Sequence, residues 1–380
     1  MKTRLLLFAL MLPALAAAQT YTYSTFLNFP ATGGPFGAGQ LIIDAQGNLY
    51  ASSPYGGIYS SNDNGGDGTV YMVTPAGGLK VLYNFGSTPT DGIRPVGPLT
   101  RDAAGNLYGT TGNGGANGAG TVFKLTPQGV ETTLTSFPNN DQGLYTTAGG
   151  GVTLDGEGNL YGYVTRWSGF YADGGDIFKL TPEGVYSIIY DWCPGGECTR
   201  AEGPTGTLVR NPTGGFFGAT GGNYTPSGNV FALSAQNTID VLYTFPSPLG
   251  AKTNPVLDAA GNLFGVAGEP FGAGSGIVYE INADGDESTV YTLPTRYGYN
   301  GYGPPILDAD GNLYDTTEIN APLDIVFKVS PAGVETVLYM GQSVDPTGLV
   351  MDNAGNLYTT CFFCGINHTG SIGKLTKNAE

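Results

Sequence analysis

Histidine is almost missing: His368 is the only one in 380 residues. A zinc centre built from several histidines and a histidine–carboxylate relay assembled from distant segments are therefore excluded. No Gly-x-Ser-x-Gly string occurs, so there is no nucleophile elbow. Charge is scarce, at 12% of residues, and leans acidic: 15 Lys and Arg against 31 Asp and Glu give a net charge of −16. Such a chain repels phosphate backbones and anionic lipid surfaces, so neither nucleic acid nor a membrane surface is an expected partner. Helical periodicity is missing throughout, and no long apolar run follows the first 18 residues.

Those first residues are a different matter. Lys2 and Arg4 precede an apolar run from Leu5 to Leu15, and Ala16-Ala17-Ala18 follows before Gln19. A charged start, an apolar middle and small residues at the end read as a secretory signal peptide over residues 1–18. The run is too short to span a bilayer. The expected product is a secreted or periplasmic protein in which residues 19–380 form a single domain, without a membrane anchor and as a monomer.

Glycine and aromatics are abundant, with 63 Gly, 25 Pro, 24 Tyr and 18 Phe, and 41% of the chain is hydrophobic. Aromatics favour strands, and Gly and Pro punctuate turns. The phrase "DAQGNLY" at Asp44 recurs from Asp102, Asp155, Asn211, Asp258, Asp308 and Asp352, decayed at Asn211 to "NPTGGFF". The recurrence of about fifty residues signals a repeat architecture. Apolar segments flank each phrase, so it is the turn of a β-hairpin, with Gly supplying a positive φ and Asp and Asn bonding the local backbone. A second hairpin follows in each repeat, as in "TVFKLTPQGVETTLTSF" over 121–137, usually turning on Thr-Pro-x-Gly.

Four strands per repeat, A to D, over about fifty residues describe a propeller blade. The last repeat ends after strand C, and "STFLNF" at 24–29 aligns with the strand D segment "KVLYNF" at 80–85. The sequence thus predicts an all-β fold: a seven-bladed β-propeller of four-stranded antiparallel blades, with the ring closed by the N-terminal strand in the last blade. Closure hides edges that an open array would expose.

The strings "DAAGNLYGTT" and "GGANGAGTVFKLTPQGVETTLTSF", with their copies, resemble the GloVer tandem repeat of exported bacterial proteins over essentially all of residues 20–380. That resemblance implies a secreted propeller and no established activity or catalytic residue. Many such proteins carry a C-terminal sorting anchor, whereas this sequence stops at Glu380, directly after strand C. Through D-x-x-G-N-L-Y alone the chain is also similar to NHL-repeat and gluconolactonase-type propellers. That likeness implies a metal held by carboxylates and amides on inner strands.

Several residues invite a chemical role. The turn aspartates recur in every blade but one, whereas a catalytic pair is needed only once, so they read as structural. Unrepeated acids such as Glu202, Glu269 and Glu318 remain available for carboxylate catalysis. His368 reads as a loop side chain, and "GGANGAG" at 114–120 as a connector, since it leads into a strand and not the helix a phosphate cradle needs. Asp63, Asn64 and Asp67 offer oxygen ligands of the kind calcium prefers, but without EF-hand spacing or a distal Glu, and the segment reads as an ordinary polar loop with no cofactor. Four cysteines allow three pairings. Cys193 with Cys198 and Cys361 with Cys364 is favoured, because the two clusters fall in separate blades. With no helix after "CFFC" to lower a thiol pKa, a structural bridge is expected there.

The A–B and C–D turns share one face of a propeller and are tight and repeated. The B–C and D–A connections share the other and vary, which is where function usually lives on a rigid scaffold. They carry Tyr55, Tyr59, Tyr145, Trp167, Phe170, Tyr171, Trp192, Tyr297, Tyr299 and Tyr302. Of these, Tyr55, Trp167, Phe170, Tyr171, Tyr297, Tyr299 and Tyr302 are the candidate ligand-binding residues. The expectation is a binding module for glycan or another extracellular polymer, carbohydrate or protein. The alternative is a carboxylate-dependent polysaccharide- or lactone-active enzyme.

Overall fold

The computed structural model describes residues 21–378, apart from 37–38, 61–64, 139–144, 149, 169–170, 193–203, 222–227, 248, 252, 270–275, 295–302, 320–322, 343–345, 362–363 and 367. Seven antiparallel four-stranded blades follow one another round a ring, and the described residues contain no helix. In the second blade, strand A is Gly92–Arg101, B is Leu107–Gly114, C is Thr121–Leu125 and D is Glu131–Ser136. The A, B, C, D order repeats from blade one, which begins at Ile42–Ile43, to blade seven, where A is Pro346–Met351, B is Leu357–Cys361 and C is Ser371–Lys377.

The missing strand of blade seven comes from the other end of the chain. Tyr21–Asn28 pairs antiparallel with Ser371–Lys377, from Tyr21↔Lys377 to Asn28↔Ser371. The seam is fastened at both ends: Tyr21 Oη donates to the Gly355 carbonyl at 3.0 Å, and Thr369 Oγ1 donates to the Phe29 carbonyl at 3.0 Å. The edges of the first and last repeats are thereby paired and not exposed.

The core is divided among the seams. Seven apolar clusters are found among the described residues, each filling the gap between two adjacent blades. Val70, Phe85, Leu99, Leu107, Phe123 and Leu125, for example, join blades one and two. Strand C and the residue after strand D supply the largest fully buried rings. Phe123, Phe178, Phe231 and Tyr279 are each paired with a strand B glycine, Gly109, Gly162, Gly218 and Gly265. A Cβ at any of these glycines would sit 2.3–2.7 Å from the ring opposite. The glycine in the recurring "LYG" is therefore a packing requirement.

Strands C and D share a further device. In blades one to six their register slips by one residue just before the strand C aromatic, as between Val70 and Tyr71 or Val122 and Phe123. A bulge of this kind re-aims a side chain and steepens the local twist, which suits a ring inserted into a seam.

Candidate functional site

On the turn face the repeated aspartates are fully occupied. Asp44 Oδ1 accepts the Gln46 and Asn48 amides at 3.0 and 2.9 Å, while Oδ2 accepts Asn48 Nδ2 and Tyr50 Oη, both at 3.0 Å. Asp308 repeats all four bonds with Asp310, Asn312 and Tyr314. The glycine between them holds φ of 81° at Gly47 and 77° at Gly311, which a side chain would strain. Burial works to raise the carboxyls of Asp44, Asp102, Asp155, Asp308 and Asp352. The hydrogen bonds from the Asn side chain and from the turn amides outweigh it and hold each below the ordinary value.

The fourth turn departs from this pattern. The Asn211 side-chain oxygen accepts from the Thr213 amide and hydroxyl, at 3.0 and 2.8 Å, and from no residue further along the turn. Beside it, between blades three and four, lies a hollow of about 310 Å³ lined by Asp155, Glu157, Tyr161, Lys179, Arg210 and Phe216 among others. Its charges are mixed, and Lys179 lies 5.5 Å from the Tyr161 ring centre.

The loop face carries a larger cleft, of about 480 Å³, at the closing seam of blades seven and one. Its walls are Pro30–Phe36, the Gly56–Ser60 segment, Gly65, Gly66 and Thr369. Tyr55 and Gly56 pair with Phe36 and Pro35 in a two-stranded ribbon outside the blades. Phe36 meets Tyr55 edge to face at 6.1 Å, and the Arg94 guanidinium stands 5.6 Å from the Tyr55 ring centre. Arg94 holds φ of 56°, a costly conformation for a residue with a side chain, fixed here by the hydrogen bond its backbone N–H donates to the Asp67 carbonyl at 2.8 Å. Tyr59 and Ile58 are 40% and 67% exposed, so the rim is apolar and open.

The sequence places Tyr55 on this face but does not disclose Phe36 or Arg94. The only available signal was an aromatic and an arginine inside variable connections. Trp167 and Tyr171, expected in a loop, lie instead on paired strands: Leu160–Ser168 and Tyr171–Leu180 continue the blade three ladder to Ser168↔Tyr171, with Tyr145 opposite Trp167. The B–C hairpin of that blade is simply longer than its counterparts, and alternating residues in "YVTRWS" suit a strand as well as a loop. Trp192 is half-buried, packed edge-on against Tyr190 at 4.7 Å and Phe231 at 5.7 Å, and so helps to close a seam.

Phe170, Tyr297, Tyr299 and Tyr302 lie outside the described residues, as do Asp63, Asn64, Glu202, Cys193 and Cys198. Cys361 and Cys364 form the expected disulfide, with Cα atoms 5.5 Å apart. Asp67, the described member of the calcium-type loop, is 2% exposed and lies against Gly86. His368 is an exposed loop residue, and "GGANGAG" makes a short connection into strand C. Among the described residues no group of three or more His, Cys, Asp or Glu side chains is gathered as a metal would require.

Side-chain contacts that cross from blade to blade could not be read in advance. Tyr291, on strand D of blade five, donates to Glu335 Oε2 at 2.8 Å at the start of strand D of blade six. Tyr243 and Glu287 occupy the matching positions between blades four and five, where burial and then the charge of Glu287 push the Tyr243 hydroxyl up.

Seven four-stranded blades closed by a shared first and last repeat define a β-propeller, and its unrepeated hollows lie at blade seams. The Gloeobacter/Verrucomicrobia repeat matches residues 14–223, more than half of the chain, and the chain belongs to that family. No curated protein matches it. Among solved structures it is similar to a protein from Lactobacillus plantarum, with 16% identity, 83% of this chain and 88% of that one covered, and a TM-score of 0.50. A gluconolactonase from Xanthomonas campestris matches at 12% identity, 94% and 90% coverage and a TM-score of 0.46. Porphyromonas gingivalis dipeptidyl peptidase 4 matches at 10% identity over 84% of this chain and 48% of that one, with a TM-score of 0.49. The likeness to the Lactobacillus protein is one of fold alone.

Proposed function

We propose that this propeller is an exported binding module whose variable-loop face takes a glycan or another extracellular polymer. The observation that carries this reading is the open cleft at the closing seam, where Phe36 and Tyr59 line the walls alongside glycine backbone, Ser60 and Thr369. Flat rings match the apolar faces of sugars, a tyrosine keeps a polar tip for a sugar hydroxyl, and glycine lets a chain approach the backbone closely. Arg94 behind Tyr55 adds a fixed donor group on the same side. Trp167, Phe170, Tyr171, Tyr297, Tyr299 and Tyr302 extend the aromatic face in this proposal.

The test is calorimetric titration of the mature chain with soluble extracellular polysaccharides, comparing the parent with Phe36→Ala, Tyr59→Ala, Trp167→Ala and Tyr299→Ala. Circular dichroism would confirm the fold of each. Loss of one well-placed ring is expected to weaken binding on the order of tenfold or more. If a polysaccharide binds and all four variants bind it as tightly as the parent, the aromatic face is not its site.

A further inference from the structure

Between blades one and two the Tyr–Glu hydrogen bond of the seam of blades five and six is not made. Tyr83 and Glu131 occupy the same register positions as Tyr291 and Glu335: Val70↔Tyr83 matches Val278↔Tyr291, and Leu125↔Glu131 matches Val329↔Glu335. Yet the Tyr83 hydroxyl donates to Asp91 Oδ2 at 2.8 Å. The Ser87 amide and hydroxyl crowd the same oxygen at 2.9 and 3.0 Å. Asp91 is 5% exposed, and its second oxygen, Oδ1, has no hydrogen-bond partner. Glu131, deprived of its tyrosine, keeps only the Thr133 hydroxyl at 3.2 Å. No hydrogen bond joins the two carboxyls, and both line a hollow of about 240 Å³ with Tyr83, Ser87, Thr88, Thr90 and Thr133.

A buried carboxylate oxygen without a partner is costly, and a second carboxylate beside it raises the cost. A cation bridging the two removes both penalties. Hard oxygen donors, two of them anionic and the rest hydroxyls, suit calcium, whose flexible coordination accepts such a set completed by water. The hollow has room for an ion with its waters but not for a polymer chain.

We propose that Asp91 and Glu131 form a calcium site at the seam of blades one and two, with hydroxyls of Ser87 and Thr133 as neighbours. The ion replaces the Tyr–Glu hydrogen bond made between blades five and six and ties the connection carrying Ser87 to the next blade. With two carboxylates the affinity falls in the range of extracellular modules, about 10⁻⁴–10⁻³ M.

The experiment strips the mature chain with chelator and titrates it with calcium chloride at pH 8, by calorimetry and by thermal unfolding. One bound ion and a Tm rise of about 2 °C or more at saturating calcium are expected. Both disappear in Glu131→Gln and in Asp91→Asn, and both persist in Asp63→Asn. Because Asp91 is buried and its variant can fail to fold, the half-buried Glu131→Gln decides. Three outcomes overturn the proposal: no heat and no Tm change in the parent, binding that survives Glu131→Gln, or binding lost in Asp63→Asn instead.

Discussion

Two seams of one ring carry the same tyrosine and the same glutamate and use them differently. Between blades five and six Tyr291 and Glu335 bond directly. Between blades one and two Tyr83 turns to Asp91, and Glu131 is left among carboxylate and hydroxyl oxygens. The first arrangement completes a structural bond from groups the repeat already supplies. The second gives that bond up and adds a buried charge. In a repeat protein the scaffold is its own control, so a seam that gives up a bond made at the matching register of another seam stands out. The fourth turn, where Asn211 replaces the aspartate and a mixed-charge hollow opens, is a second such departure.

The largest expected effect removes the ring on which the comparison rests. Deleting Tyr21–Phe29 unpairs strand C of blade seven and takes the buried Tyr21 and Phe29 out of the closing seams. Those two side chains alone account for about 3–6 kcal/mol of burial. The shortened protein should melt far below the parent and aggregate, and an unchanged melting curve would refute closure.

The turns come next. Asp308→Ala removes the acceptor of four hydrogen bonds and should cost about 2–3 kcal/mol in urea denaturation, whereas Asn211→Ala, with two bonds to a single residue, should cost about 1 kcal/mol or less. Equal costs would mean that the fourth turn is not a relaxed version of the others. The same network sets the response to acid. The folded carboxyls of Asp44, Asp102, Asp155, Asp308 and Asp352 sit below their ordinary 3.8, so their stabilisation is present above that value and is lost as pH falls through the lowered folded values. Denaturation midpoints should therefore drop steeply below about pH 4. Asp308→Asn should flatten that drop.

The smallest effect separates the two seams directly. Glu131 is raised from 4.5 to about 7, with Asp91 and Tyr83 the ionisable groups beside it, so the folded state holds its proton more tightly than the unfolded chain does. That contribution is complete below 4.5 and is lost as pH rises through about 7. In the absence of calcium, Glu131→Gln should then stabilise the protein at pH 8 by about 1 kcal/mol, after discounting for solvent screening, and do little at pH 4. Glu335→Gln, which weakens a charge-assisted bond from Tyr291, should instead destabilise by about 1 kcal/mol. Shifts of the same sign at pH 8 would show the two seams to be equivalent.

Much of this molecule follows from short-range pattern. The Asp, Gly and Asn of each phrase act on their own backbone within four residues, so the hairpins, the blade count and the loan of Tyr21–Asn28 to the last blade were legible from the chain alone. The Cys361–Cys364 bridge was legible for the same reason, since its partners are three residues apart. What the sequence could not set is anything that depends on how one blade is rotated against the next. Tyr291 and Glu335 lie 44 residues apart, and only the seam brings them within 2.8 Å. The meeting of Asp91 with Glu131, the guanidinium of Arg94 beside Tyr55 and the cleft at Phe36 belong to that second class. Local spacing dictates a hairpin because its partners are tethered. Contacts across a seam depend on twist, on the bulge before each strand C ring and on the packing of seven separate cores, which are properties of the assembled ring.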